Sequence, residues 1–374
     1  MPQGQLTLPG DQPLKKPGFD PTDPTASEMV FFGDPKLPTT HLMYSVHLNR
    51  LDPPKYSPKK FGDTDPMSFE FDWEVDGYSK RQPEVSHLDL LFRVYSQERK
   101  EKDDKGKAAA DMLVHLWDLA YRKFRVDHLP LYESEVDVYL CWGGTPGGEQ
   151  RMDVDLDSVN RERKVNTIYI YDLASFTNPI EMAREVAHEY GHAVLAAVGG
   201  FKTPEDWGNG QLGEKLFLMW CRDEMQAGRM TPRDVMGATL PMVDAWVKQN
   251  VDPLIMANAL NGPSFELLGD QGQAAMDAFT GLVCYADAIL PDDLVGMSLR
   301  LMETDRAKDY PAALLLACQN KKRVVARIPD MLKNKDFWVP LGNGTVNGGT
   351  VMKRNGDWAL IHQSGVFMTL LYGN

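Results

Sequence analysis

One helical segment constrains the fold of this chain more than any other stretch. Its centre reads Ala187-His188-Glu189-Tyr190-Gly191-His192, and helix signals flank it on both sides. Asn178 is a good N-cap, Pro179 suits the first helical position, and Glu181 follows Asn178 by three residues, as a capping box requires. Apolar residues then recur at helical spacing until Gly199-Gly200, a pair typical of a helix end. The sequence therefore predicts an amphipathic helix from 179 to this glycine pair.

The two histidines of the segment lie four residues apart, so in a helix they share one face, one turn apart. Two imidazoles at this spacing can hold one metal ion. Glu189 directly follows the first histidine and lies where it can take a proton from a metal-bound water. The alternative is a pair of solvated histidines on a helix surface. The pattern favours a metal site with His188 and His192 as ligands and Glu189 as general base.

The segment from roughly 165 to 225 resembles the active-site region of the zincin metallopeptidases through this H-E-x-x-H motif. Metzincins continue the motif with a glycine and a third histidine, and neither follows His192 at the required positions. The resemblance is therefore to the gluzincin type. It implies Zn²⁺ held by two histidines and a glutamate from a following helix, with water in the fourth position. The N-E-x-x-S-D box of two well-known gluzincin families is absent, so the resemblance does not extend to a subfamily.

Several acidic residues after His192 are candidates for the third ligand that this resemblance implies: Glu205, Asp206, Glu214, Asp223 and Glu224. Glu214 is preferred because it opens an apolar helical run after a Gly-rich turn. Its alternative role is that of an acid favoured by the helix dipole. Glu205 and Asp206 follow His192 more closely, beside Pro204 in an expected loop. Glu224 is the second choice.

The resemblance implies a zinc metallopeptidase, a hydrolase that cleaves a peptide or protein substrate through a metal-bound water with Glu189 as general base. Tyr285 and His362 are candidate donors to the oxyanion. Whether the enzyme is an endopeptidase or an aminopeptidase stays open. Two other functions also remain open: a non-catalytic, zinc-stabilised scaffold or binding protein, and a metallohydrolase of a non-peptide amide.

Composition limits the partners and the compartment. The formal net charge of −13 disfavours nucleic acid and anionic membrane surfaces as partners. No apolar run reaches the length of a membrane span, and residues 1–30 lack the basic start and apolar middle of a signal peptide. Family habit alone favours an extracytoplasmic protein whose signal has been removed. The cysteines are widely spaced and can be four thiols or two disulfides: Cys141, Cys221, Cys284 and Cys318.

The order of patterns predicts an α+β fold with a zincin-like catalytic domain, in which a mixed sheet and the active-site helix precede a helical lobe. We expect an extended lead-in at 1–40, a β-rich region at 41–106, the catalytic domain at 107–336 and a C-terminal β-hairpin unit at 337–374. Apolar periodicity predicts helices around five later segments: 213–227, 241–260, 270–289, 291–304 and 310–319.

Two strands are predicted before the active-site helix, at 135–142 and 166–172. In gluzincins the substrate lies along an edge strand, so by resemblance either strand is a candidate to pair with an extended peptide. The alternative is that both are interior strands. Between them, the Gly-rich stretch 143–148 predicts a flap or hairpin. The D-x-D-x-D stretch 153–157 predicts an acidic loop rather than a calcium site, because it lacks the required glycine and glutamate.

Overall fold

The computed structural model describes residues 27–32, 42–50, 73–81, 89–96, 105–124, 136–141, 146–156, 162–363 and 365–373. The fold is α+β, with helices and mixed sheets, as predicted. The chain divides into two compact units. The first comprises Met1–Asp118, Tyr132–Glu189 and Met230–Ala238, and the second comprises Leu119–Leu131, Tyr190–Arg229 and Thr239–Asn374. The four segments expected from the sequence stay a prediction.

A seven-stranded mixed sheet forms the centre of the first unit. Its strands are β1 (Ser27–Phe32), β2 (Leu42–Arg50), β3 (Trp73–Arg81), β4 (Asp89–Ser96), β5 (Val136–Leu140), β6 (Gly147–Leu156) and β7 (Glu162–Tyr171). They lie in the order β1-β2-β3-β4-β5-β7-β6. The pairs β4–β5 and β5–β7 are parallel, and the other pairs are antiparallel. One sheet therefore spans both the expected β-rich region and the start of the expected catalytic domain.

Two strands of this sheet were expected to be irregular. β1 lies within the expected lead-in and pairs with β2. β6 begins in the Gly-rich stretch, where a flap or hairpin was expected, and includes Asp153 and Asp155, where an acidic loop was expected. It pairs with β7 over its whole length. Pairing with a neighbouring strand outweighs the low strand propensity of glycine and aspartate. Asp157 lies outside the described residues.

The two strands considered for substrate pairing are both interior. β5 lies between β4 and β7, and β7 lies between β5 and β6. Strand neighbours therefore occupy both sides of each backbone. The expectation that either strand accepts a peptide is wrong, and the alternative of interior strands is confirmed. Their side chains build the core, where the rings of Tyr139 and Tyr169 stack with centroids 5.0 Å apart.

The helices follow the predicted pattern closely. They are α1 (Lys105–Phe124), α2 (Pro179–Val194), α3 (Asn209–Gln226), α4 (Leu240–Asn250), α5 (Asp252–Asn261), α6 (Phe265–Leu268), α7 (Gln273–Ile289), α8 (Asp292–Arg300) and α9 (Tyr310–Lys321). The single helix expected at 241–260 is two helices, because Pro253 has no N–H to continue α4 and suits the first turn of α5. Among the described helices, none is long and apolar enough to cross a membrane.

The second unit ends in two small antiparallel sheets. Their strands are β8 (Arg323–Arg327), β9 (Asp336–Pro340), β10 (Thr345–Asn347), β11 (Gly349–Asn355), β12 (Trp358–Gln363) and β13 (Phe367–Leu371). The sheet orders are β10-β13-β8 and β11-β12-β9. Gly348, with φ of 82°, joins β10 of one sheet to β11 of the other. β8 pairs with β13 although it precedes position 337, where the C-terminal unit was expected to begin.

All four cysteines are buried thiols. The sequence left open four thiols or two disulfides, and the structure has four thiols. Burial raises the pKa of the Cys141 and Cys284 thiols and raises that of Cys318 to about 12. Because the thiolate is the reactive form, burial disfavours reactions at these three thiols.

Candidate metal centre

Helix α2 carries both histidines, and its start follows the sequence signals. Asn178 Oδ1 accepts a hydrogen bond from Ile180 N at 3.2 Å, so the predicted N-cap is confirmed. The predicted capping box is not completed as expected. Glu181 instead accepts a hydrogen bond from Arg184 Nε at 3.2 Å, one turn further along the helix.

Both ring nitrogens of His192 have close partners. Nδ1 lies 2.9 Å from Oδ1 of Asn209, and Nε2 lies 3.0 Å from Oε2 of Glu205. The His192 and Glu205 side chains are 15% and 23% exposed, so the pair lies near the surface but is partly shielded from solvent. The ring is therefore held from both sides, by an amide at the first residue of α3 and by a carboxylate in the preceding loop.

The orientation of the Asn209 amide assigns the protonated nitrogen of this ring. Asn209 Nδ2 donates to the backbone carbonyls of His192 at 3.1 Å and Leu195 at 3.5 Å. Its Oδ1 therefore faces Nδ1, which must donate. In a neutral ring the lone pair of Nε2 then faces the Glu205 carboxylate. His192 Nε2 and Glu205 Oε2 would then be two hydrogen-bond acceptors 3.0 Å apart. Such a pair requires a proton or a metal cation between the two atoms.

Three side chains converge at this point. One ligand atom from each of His188, His192 and Glu205 lies within 4.8 Å of the others, and the group can hold a metal ion. Two imidazoles and a carboxylate are the donor set of open zinc sites, in which a fourth position remains for water. The prediction that the two histidines lie on one helix face is confirmed, and Glu205 joins them.

The loop that carries Glu205 is anchored by backbone hydrogen bonds to distant parts of the second unit. Gly199 N donates to Asp305 O at 2.7 Å, and Lys202 N donates to Gln271 O at 2.7 Å. These bonds fix the path of the chain on the N-terminal side of Glu205. Glu205, an acid in a loop, therefore has a defined position.

Glu189 is buried, with only 3% of its surface exposed. The backbone of β6 lies against it, because Gly148 has no side chain. A Cβ at position 148 would lie 2.6 Å from Glu189 Cγ and 2.7 Å from its Oε1. The sequence places this glycine in an expected flap or hairpin, and it does not predict the contact with the candidate base.

Glu214, the preferred third ligand from sequence, is not part of the converging group. It lies on α3 and is 5% exposed, and its assignment as a ligand stays a prediction. The later candidates have cationic partners of their own: Asp223 pairs with Arg222, and Glu224 accepts two hydrogen bonds from Arg229 at 2.6 and 2.7 Å. Asp206 lies in the same loop as Glu205 and is exposed.

Tyr285 and His362, the two candidate oxyanion donors, both make contacts with other protein groups. The Tyr285 hydroxyl donates to the carbonyl of Trp338, and burial raises the pKa of Tyr285 well above its usual value. His362 Nδ1 lies 2.7 Å from Asp336 Oδ1 at an exposed position across β12 and β9. Both side chains therefore have local structural partners in the second unit.

Asn209 was not predicted from the sequence, and Glu205 was a candidate ligand ranked below Glu214. Their signal was weak but present: both lie close after His192, one beside Pro204 and the other just before a helical run. Comparisons of the chain with family models, with curated proteins and with solved structures found no match, so the geometry alone carries the functional argument.

Proposed function

We propose that this protein is a zinc-dependent peptidase in which His188, His192 and Glu205 hold the metal and Glu189 is the general base. The observation that carries the proposal is that the imidazoles of His188 and His192 on α2 converge with the carboxylate of Glu205 from a loop, while α2 also bears the buried Glu189 next to His188. Imidazole nitrogen and carboxylate oxygen, without thiolate, are the donors of catalytic rather than structural zinc sites.

Each protein group has a distinct part in the proposed reaction. When bound by His188, His192 and Glu205, Zn²⁺ would supply a Lewis acid for the activation of water and the polarisation of a substrate carbonyl. Glu189 takes the proton from the attacking water and returns it to the leaving amine. The backbone at Gly148 lies over the Glu189 side chain and excludes water from that side, which holds the carboxylate in one position.

The position of β6 favours a peptide over a small amide as substrate. β6 is an edge strand, with β7 on one side and no described strand on the other. Its residue Gly148 contacts the candidate base. An extended peptide that adds to a free strand edge gains backbone hydrogen bonds that a small amide cannot make. The edge strand next to the base therefore supports a peptidase.

The test compares the wild-type protein with Glu189→Gln, which keeps the size of the side chain. We expect both proteins to retain zinc after purification without chelator. Only the wild type should cleave an unfolded protein substrate, and the loss of a general base should lower the rate roughly 10²–10⁴-fold. Full activity of Glu189→Gln, or a zinc-free wild type, would overturn the proposal.

Two other outcomes would select the alternative functions. Cleavage of small amides without cleavage of unfolded protein would identify a non-peptide amidohydrolase. Stoichiometric zinc without any hydrolysis would identify a zinc-stabilised scaffold or binding protein.

A further inference from the structure

We propose that Asn209 is a positioning residue that sets the zinc affinity of the site by fixing the orientation and tautomer of His192. The inference rests on the proposed zinc site, but the contacts that carry it lie within the protein. Asn209 is 3% exposed and makes three hydrogen bonds around one histidine. These hydrogen bonds within the protein account for the buried amide without a bound ligand.

The three bonds determine which way the amide faces. Nδ2 donates to the carbonyls of His192 and Leu195, and Oδ1 accepts from His192 Nδ1. A flipped amide would place an oxygen against two carbonyl oxygens and lose both donations. The observed orientation therefore holds the proton on Nδ1 and keeps the Nε2 lone pair on the side of Glu205.

The same amide also caps carbonyl groups at the C-terminal end of helix α2. The last carbonyls of a helix have no partner within the helix, and a buried end requires another donor. Asn209 Nδ2 supplies this donor at His192 and Leu195, beside the observed end of α2 at Val194, which comes before the glycine pair predicted from sequence. The helix end and the ring of His192 are thus fixed by one side chain.

Close packing of α2 against α3 brings Asn209 to this position. A Cβ at Gly191 would lie 2.5 Å from the Asn209 carbonyl oxygen and 2.7 Å from the Cα of Gly213. Glycine at 191 therefore permits the two backbones to approach this closely. The start of α3 is therefore held beside His192, the residue that follows Gly191 in α2.

This arrangement matters for metal binding because a ring that can turn, or that carries its proton on Nε2, must be reorganised before it ligates. Partners of the non-ligating ring nitrogen typically contribute 10–100-fold to metal affinity. Asn209 occupies this place for His192. It touches neither the substrate nor the metal in the proposal, so its effect is exerted through the histidine.

The first experiment measures Zn²⁺ affinity of the full chain by competition with a chromophoric chelator. Asn209→Leu removes all three bonds at similar size and should weaken zinc affinity roughly 10–100-fold. Asn209→Asp keeps an acceptor for Nδ1 but loses the donors to the helix end, so it should retain zinc affinity while lowering thermal stability. Equal affinity of Asn209→Leu and wild type would overturn the proposal.

A matched control separates positioning from general loss of stability. Asn258 is also buried in the second unit, and its Nδ2 donates to Leu254 O at 3.0 Å within α5. Asn258→Leu should lower stability without changing zinc affinity. A similar loss of zinc affinity in Asn258→Leu and Asn209→Leu would show that the effect is not specific to His192, and would overturn the proposal.

A second measurement does not depend on bound zinc. Nitrogen-15 NMR of the histidine rings in the metal-free full chain, with His192→Gln to assign the resonance, reports which nitrogen is protonated. Because Nδ1 faces the Asn209 oxygen, we expect Nδ1 of His192 to carry a proton in this metal-free chain. A proton on Nε2 alone would overturn the inference even if Asn209→Leu cannot be folded. A wild type with the Nδ1 proton but no zinc binding would instead overturn the proposed function.

Discussion

Gly148 of β6 lies directly against Glu189 of α2, so closely that any side chain at 148 must displace the glutamate. A Cβ there would lie between 2.6 and 2.8 Å from three atoms of the Glu189 side chain. The contact joins the edge strand of the sheet to the proposed general base. A glycine in a strand often marks such a close approach.

Gly148→Ala should therefore impair hydrolysis while leaving zinc in place. The added methyl group moves the Glu189 carboxylate, and a misplacement of about 1 Å at a catalytic group can lower the rate roughly 100-fold. The measurement is kcat/KM on an unfolded protein substrate together with zinc content. The control is Gly365→Ala, because a Cβ at 365 meets only Phe367 O at 3.9 Å. An unchanged rate in Gly148→Ala would show that the position of Glu189 does not matter for hydrolysis.

The sequence and the structure favour different residues as the third metal ligand. Glu205 lies 3.0 Å from His192 Nε2, whereas Glu214 lies outside the converging group. Glu205→Gln should lower Zn²⁺ affinity by more than the roughly 10–100-fold that loss of an outer partner causes. Glu214→Gln should retain zinc. The opposite result, with zinc lost only in Glu214→Gln, would restore the assignment made from sequence.

Local signals made helix α2 predictable, and long-range contacts made its third partner unpredictable. The N-cap at Asn178 and the apolar period are properties of neighbouring residues, and they act as expected. The position of Glu205 depends on bonds from Gly199 to Asp305 and from Lys202 to Gln271, which join segments far apart in the chain. No pattern within the loop encodes those bonds.

The same difference between local signals and long-range contacts explains which strand predictions for the sheet were wrong. The strands predicted at 135–142 and 166–172 correspond to β5 and to the second half of β7, but a local strand pattern does not reveal which strand lies at an edge. β6 was missed because glycine and aspartate disfavour strands in isolation, and its pairing with β7 depends on the register of a later segment. The need for glycine at 148 is visible only once the α2 side chain beside it is known.

Gly191→Ala should lower stability, although helix propensity alone predicts the opposite sign. Alanine is favoured over glycine in a helix by about 1 kcal/mol. Here the new Cβ would meet backbone atoms of Asn209 and Gly213 at 2.5 and 2.7 Å, and neither can move without shifting α3. Overpacking of this kind costs about 1–3 kcal/mol, so the net change in the free energy of unfolding should be a loss. Urea unfolding measures it, and a stabilised variant would contradict the close approach of the helices.

Acid should weaken the attachment of the 3₁₀ turn Pro232–Val235 to α1. Asp234 Oδ1 lies 3.2 Å from His115 Nε2, and its Oδ2 accepts hydrogen bonds from Thr231 N and Oγ1 at 2.7 and 2.8 Å. Burial alone would raise the pKa of Asp234. The hydrogen bond and charge of His115, together with the Thr231 bonds, outweigh burial and lower the pKa to about 2.

The sign of the pH dependence follows from this lowered pKa. In the unfolded chain an aspartate titrates near pH 4, so between about pH 4 and pH 2 the unfolded state binds a proton that the folded state does not. The stabilisation by Asp234 is complete above about pH 4 and is lost as the pH falls toward 2. With about 1.4 kcal/mol for each pKa unit, it amounts to about 2 kcal/mol.

Asp234→Asn removes the titrating group, so its free energy of unfolding should fall less steeply than that of the wild type between pH 4 and pH 2. His115→Gln should flatten the wild-type curve in the same way, because the charge that lowers the pKa of Asp234 is gone. The difference between curves is measured by urea unfolding at each pH, and other carboxylates cancel because all three proteins share them. Parallel curves for wild type and Asp234→Asn would show that this carboxylate is not held ionised in the folded protein.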